Sequence, residues 1–325
     1  MQDLYGRAVS YLRVSVTDHC NLRCLYCLPR DGARFHDPAS LLGWDELGRV
    51  VAAAVRLGVR RVRLTGGEPT TRPGLVDFVR RVAALPGVED VALSTNGMLL
   101  APMAPALREA GLRRVNISLD SLRADRFHEL THFGDLHAVW AGIEAALAAG
   151  LGPVKLNCVV LAGINDDELL DFAELTRERP LHVRFIELMP LGTSHPWARE
   201  RLFPVARMRE RLAERHALEP AEVEGGGPAR YVRIPGAPGT LGFITAMTEN
   251  FCSGCNRVRL TADGELQPCL GSLLAVDLRG PLRAGISDAE LTRLVERGIR
   301  AKPERHLMEE YLAETAGRRM WTIGG

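Results

Sequence analysis

Lysine is almost absent from this sequence. Of its 41 basic residues only Lys155 and Lys302 are lysines and the other 39 are arginines, which makes Lys155 a position to examine. Long apolar runs are missing as well: none approaches the roughly 18 residues that a membrane-spanning helix requires. A charge excess is missing too. The 41 basic and 40 acidic residues leave a formal net charge of +1, which gives nucleic acid and anionic membranes no bulk attraction. The opening residues Met1-Gln2-Asp3-Leu4 lack the basic-then-apolar layout of a signal peptide, which predicts a cytoplasmic protein. What is present is ordinary globular composition, 46% hydrophobic and 25% charged over 325 residues. That length suggests two domains, or one large one with an appendage, and a core large enough to need no disulfide staples.

A strand-then-helix alternation fills the first two thirds. Strands are predicted at Tyr11–Thr17, Arg61–Thr65, Val91–Thr95, Arg114–Leu119, Val154–Leu161 and His182–Met189. Helical patterns lie near Asp45–Leu57, Leu75–Leu85, Met103–Ala110, His137–Ala149 and Asp167–Arg177. The strands are rich in β-branched and apolar residues, as buried parallel strands are. Six such units form either an open doubly wound sheet or an incomplete barrel, and in both the ligands gather at the carboxyl ends of the strands. After about residue 216 the texture changes. Glu224-Gly225-Gly226-Gly227-Pro228 reads as a loop or linker, followed by short strands at Arg230–Ile234, Leu241–Met247 and Arg257–Thr261. Ala262-Asp263-Gly264-Glu265 is a hairpin signal, and a helix is predicted near Asp288–Arg297. The expected division is 1–216 and 217–325.

There are seven cysteines, an odd number that argues for metal or cluster ligation over a disulfide framework. Cys158 stands alone mid-strand and reads as a small buried apolar residue. The others form two trios: Cys20, Cys24 and Cys27 after the first strand, and Cys252, Cys255 and Cys269 in the last third. Three thiolates cap three irons of a [4Fe-4S] cube and leave the fourth iron open to a small molecule. The alternative is zinc, which in structural sites needs a fourth ligand. His36 is a candidate for the first trio, and none is evident for the second.

Cys20-Asn21-Leu22-Arg23-Cys24-Leu25-Tyr26-Cys27 resembles the signature of the radical S-adenosylmethionine (SAM) superfamily, and Thr65-Gly66-Gly67-Glu68-Pro69 resembles its second motif, which holds the methionine amino group. Arg13-Val14-Ser15-Val16-Thr17-Asp18-His19, Phe251 to Gly264 and the terminal Ile323-Gly324-Gly325 are similar to one subgroup, the GTP 3′,8-cyclase family of molybdenum cofactor biosynthesis. The resemblance implies an α/β fold: an incomplete (β/α)6 TIM-like barrel of the radical SAM type, with a C-terminal extension carrying a second iron–sulfur cluster. It also implies two [4Fe-4S] clusters with SAM as cofactors, GTP as substrate, and chemistry started by one-electron cleavage of the sulfonium.

Residue by residue, the resemblance carries SAM contacts to Tyr26, Gly67, Ser118 and the Met189 backbone. It carries GTP contacts to Arg13, Arg63, Thr95, Lys155, Arg257, Val258 and Arg259, with Arg184 a weaker candidate. Arg257, Arg259, Gly324 and Gly325 are implied in turnover. Independently, Arg13, Arg63 and Lys155 fall on three different strands, and Arg257 and Arg259, two apart, share one strand face. A triphosphate would pair such a basic lining. The implied partners are an electron donor and the next enzyme, cyclic pyranopterin monophosphate synthase, with a monomer or homodimer expected and neither nucleic acid nor membrane. Two rivals remain: another radical SAM enzyme with an auxiliary cluster acting on a peptide, and a non-enzymatic iron–sulfur redox protein.

Overall fold

In the computed structural model, residues 1–194, 196–306, 308 and 320–324 are described. Gly325 lies outside them. The barrel strands are β1 (Tyr11–Ser15), β2 (Arg61–Thr65), β3 (Asp90–Thr95), β4 (Arg114–Ser118), β5 (Lys155–Val160) and β6 (His182–Glu187). They pair in parallel and in sequence order. Between them run α1 (Trp44–Arg56), α2 (Leu75–Ala83), α3 (Ala104–Glu109), α4 (Ala124–Thr131), α5 (Leu136–Ala148) and α6 (Leu169–Glu178). The incomplete (β/α)6 barrel is therefore as expected. α4 was not anticipated: only Phe127, Leu130 and Thr131 of its eight residues are buried, too few to make a periodic pattern.

The remaining strands extend both edges of the same sheet. β7 (Glu219–Ala221), β8 (Arg230–Arg233) and β9 (Thr240–Ile244) stand beside β6, and β10 (Arg257–Leu260), β11 (Glu265–Gln267) and β12 (Val276–Asp277) stand beside β1. β9 is parallel to β6 and β10 is parallel to β1, so eight consecutive strands are parallel. β10 and β11 form the expected hairpin, closed by the Thr261 amide donating to Glu265. β7 escaped the sequence reading because it holds Pro220 and is mostly exposed, the marks of an edge.

The core is one continuous cluster running from Val9 to Ile299, filled by the apolar sides of the strands and the helices around them. α1 presents Leu47, Val50, Val51 and Ala54 inward, and α10 (Asp288–Arg300), which follows the short α9 (Arg279–Arg283), presents Leu291, Val295 and Ile299. α10 begins at Ser287, whose hydroxyl accepts from the Glu290 amide while the Glu290 carboxylate caps Ser287 in return. Among the described residues no helix is long and apolar enough to cross a membrane.

Candidate active site

One cavity of about 310 Å³ at the carboxyl ends of the strands is lined by all six clustered cysteines. That volume is near the lower end for ligand pockets. Tyr26, Gly67, Ser118 and Met189 line the same space, as do Arg13, Arg63, Thr95, Arg184, Arg257 and Arg259. Val258 does not. It is fully buried on β10, its neighbours Arg257 and Arg259 facing the cavity instead.

The first trio sits on the loop after β1, all three thiols free. Burial pushes Cys20 up to about 11 and holds Cys24 and Cys27 above the ordinary thiol range, with Asp120 and the neighbouring thiols adding to the rise at the last two. Thiolates at these positions would need a cationic group beside them, which a metal cluster would supply. Three sulfurs capping different irons do not converge on one point. Among the described residues, no three His, Cys, Asp or Glu side chains gather to hold a single metal ion. His36, the candidate fourth zinc ligand, is instead engaged with Asp18 and Asp263, its Nδ1 3.1 Å from Asp18.

The Gly66-Gly67 pair ends β2 against this loop. The Gly67 amide donates to Thr17 O at 2.7 Å and the Glu68 amide to His19 O at 2.7 Å. A Cβ on Gly67 would stand 2.3 Å from His19 O, so only glycine admits this approach. Glu68 is itself a buried hub. Its carboxylate accepts from the Thr70 amide and hydroxyl, the Thr95 hydroxyl (2.7 Å) and the Asn96 amide (2.6 Å). Burial raises its pKa, and those donors pull it back. Thr95 faces the cavity with its hydroxyl already committed to Glu68. Tyr26 donates to Asp120 at 2.7 Å, and burial pushes Asp120 up to about 6. The Met189 carbonyl accepts from Ser194 and from the Leu191 amide.

The basic lining is a consequence of register. Arg13 on β1 is paired with Arg63 on β2 and with Arg259 on β10, so three guanidinium groups stand abreast on one face. Arg63 donates to Tyr11 Oη at 2.6 Å. Arg184 donates to Asn157 at 2.8 Å and lies opposite Gly242, where a Cβ would come within 3.1 Å of it. Burial lowers the Arg13 pKa, and Arg259, Arg63 and Arg257 lower it further: mutual repulsion that an anion would relieve.

Lys155 is 2% exposed and stands outside the cavity lining. Its ammonium donates to the Glu224 carbonyl and lies over the Tyr231 ring. The 224–228 stretch, read from sequence as a loop or linker, is a loop packed across the amino ends of the strands. Gly225 O accepts from Arg114, and Asn256 reaches Gly226 O. The tail enters the cavity region from the other side. Trp321 and Met320 line it, and Arg259 donates to Gly324 O. Gly324 adopts φ +73°, and a Cβ there would meet Thr65 at 2.6 Å.

Three groups were missed. Asp120 and Glu187 carry no motif of their own. Lys302 was marked only by its rarity, yet it lines the cavity beside the second trio.

Comparison with known proteins agrees with this geometry. Residues 14–176 match the radical SAM superfamily and residues 181–308 match Molybdenum Cofactor Synthesis C. GTP 3′,8-cyclases from Pelotomaculum thermopropionicum and Heliobacterium modesticaldum are 52% and 51% identical over the full length of both chains. That from Moorella thermoacetica is 48% identical, again over the full length. In solved structures, Streptococcus suis SuiB bound to S-adenosylmethionine shares the fold with a TM-score of 0.61 at 15% identity, covering 90% of this chain and 68% of its own. The chain belongs to the GTP 3′,8-cyclase family of radical SAM enzymes.

Proposed function

We propose that this cavity is where the chain converts GTP to (8S)-3′,8-cyclo-7,8-dihydroguanosine 5′-triphosphate, the first step of molybdenum cofactor biosynthesis. The carrying observation is that both cysteine trios and the Arg259–Arg13–Arg63 row line one space. The free, half-buried thiols of Cys20, Cys24 and Cys27 suit a [4Fe-4S] cluster, and the Gly66-Gly67 turn, packed directly on the 17–19 backbone, brings the end of β2 against that loop, where SAM would lie. Bound there, that pair supplies one-electron cleavage of the sulfonium and removal of a hydrogen atom from the substrate. Cys252, Cys255 and Cys269 would hold the second cluster, next to the guanine.

The chain's own work is binding, orientation and exclusion. Tyr26, Gly67, Ser118 and the Met189 backbone would hold SAM. Arg13, Arg63, Arg257 and Arg259 would hold the triphosphate by charge-assisted contacts, with Arg184 behind them. Fixing C3′ of the ribose near the abstracting carbon is orientation work of the kind worth several kcal/mol. Loss of hydrogen from C3′, closure of the C3′–C8 bond, and gain of one electron and one proton complete the product, an isomer of GTP. The electron comes from a separate one-electron donor, and the product goes to the synthase that follows. The tail over Thr65 and Arg259 would keep water from the reacting carbons.

The peptide-modifying rival keeps only a likeness of fold, since SuiB is 15% identical where the full-length cyclases reach half. Anaerobic incubation of the reconstituted chain with GTP, SAM and a reductant should give 5′-deoxyadenosine and the cyclised nucleotide together. Absence of both, or deoxyadenosine with unaltered GTP, would overturn the reading.

A further inference from the structure

We propose that Lys302 and Arg7 are positioning residues that gather the three separate segments of the second cysteine trio into one site. The inference rests on reading that trio as a cluster site. None of the three cysteines lies in a strand: Cys252 opens a single 3-10 turn, Cys255 follows it, and Cys269 lies beyond β11. Something must bring these loops to one place.

Two buried cations do so. The Lys302 ammonium, on a residue 2% exposed, donates at 2.8 Å to the carbonyl of Arg257 and at 2.8 Å to that of Pro268. Arg257 stands two residues after Cys255, and Pro268 immediately precedes Cys269. Arg7 donates to the Cys252 carbonyl at 2.9 Å, to Glu304 O at 2.7 Å and to Pro303 O at 2.6 Å. Asp3 fixes Arg7 from the other side at 2.6 Å. Arg7 thus ties Cys252 to the segment that begins at Lys302, and Lys302 ties that segment to the other two cysteines.

The choice of cation fits the task. The sequence uses arginine at 39 of 41 basic positions, yet here it uses lysine. An ammonium is compact and can aim donors at two converging carbonyls, where a planar guanidinium fork is wider and rigid. Among the described residues, both bonds of the Lys302 ammonium go to backbone carbonyls.

The test uses the full chain reconstituted anaerobically. Lys302→Met should lose about half its iron. The loss should be confined to the second site, leaving the SAM-induced change in the first cluster's electron paramagnetic resonance signal as in wild type. Any second cluster that loads should show a more negative midpoint potential, and the GTP-induced spectral change should be lost. Lys302→Arg should restore iron in part while the GTP-induced change stays weakened. Asp3→Asn, which releases Arg7 without removing either cation, should also lower iron at the second site. Wild-type iron content, potential and GTP response in Lys302→Met would overturn the proposal, and full loading of Asp3→Asn would remove Arg7 from it. Wild-type iron content and GTP response test the cluster reading separately.

Discussion

A buried ammonium surrounded by guanidinium groups has a definite thermodynamic signature, and Lys155 carries it. Burial, then Arg184, Arg114 and Arg63, bring its pKa from 10.5 down to about 6. Between these values the folded chain holds Lys155 neutral, while the unfolded chain holds it protonated. Unfolding takes up a proton there, so this residue makes stability rise with pH across the window and removes that rise below about 6. The slope is at most ~1.4 kcal/mol per pH unit. Lys155→Met should abolish this contribution, flattening the dependence of urea-unfolding free energy between pH ~7 and ~9 relative to wild type. Equal slopes in the two proteins would show that the Glu224 carbonyl and the Tyr231 ring keep the ammonium charged.

At the scale of elements, one carboxylate reinforces the strand ladders that join barrel and extension. Glu187 ends β6, is fully buried, and accepts from the Val205 amide (3.0 Å), the Met247 amide (2.9 Å) and the Thr248 amide (3.0 Å). It joins the start of α8 (Val205–Ala213), which follows the short α7 (Ala198–Arg201), to the loop after β9, where Ala246 lines the cavity. Glu187→Gln would turn a donor toward these donors and cost about 1–3 kcal/mol. Urea unfolding should report that loss; a change below about 0.5 kcal/mol would mean that the loop carries its own weight. The sequence reading reached the strands because buried parallel strands are continuous apolar runs, and it reached the cysteine loops because their spacing is local. It passed over Glu187, Asp120 and Arg7 because their meaning lies in distant backbone partners. Arg7 meets Glu304 across 297 positions, a relation that no periodicity encodes. The glycine stretch at 224–228 could be read no further than a loop or linker for a related reason: what makes it a cover is Arg114 and Lys155, which meet it from elsewhere in the chain.

For the molecule as a whole, eight parallel strands hold two cysteine trios against one cavity, and the chain's last described residues finish the enclosure. The register that sets Arg259 beside Arg13 also presents a guanidinium to the Gly324 carbonyl, so the tail is seated on the row assigned to the triphosphate. Its seat is narrow. With φ +73° and Thr65 Cγ2 only 2.6 Å from where a Cβ would stand, Gly324 admits no side chain without moving. Deleting Gly324 and Gly325 leaves every cysteine and both buried cations untouched, so iron content and the SAM-induced spectral change should match wild type. Cyclised product should fall at least ~10-fold if the tail excludes water and holds the Arg259 side, as proposed. Deoxyadenosine formation should persist, now uncoupled from product. Gly324→Ala should reproduce the uncoupling in weaker form, since strain at the seat lifts the tail without shortening it. Retained coupling in both variants would place the closure of the cavity elsewhere, with Trp321 and Met320, which line it directly, as the next residues to change.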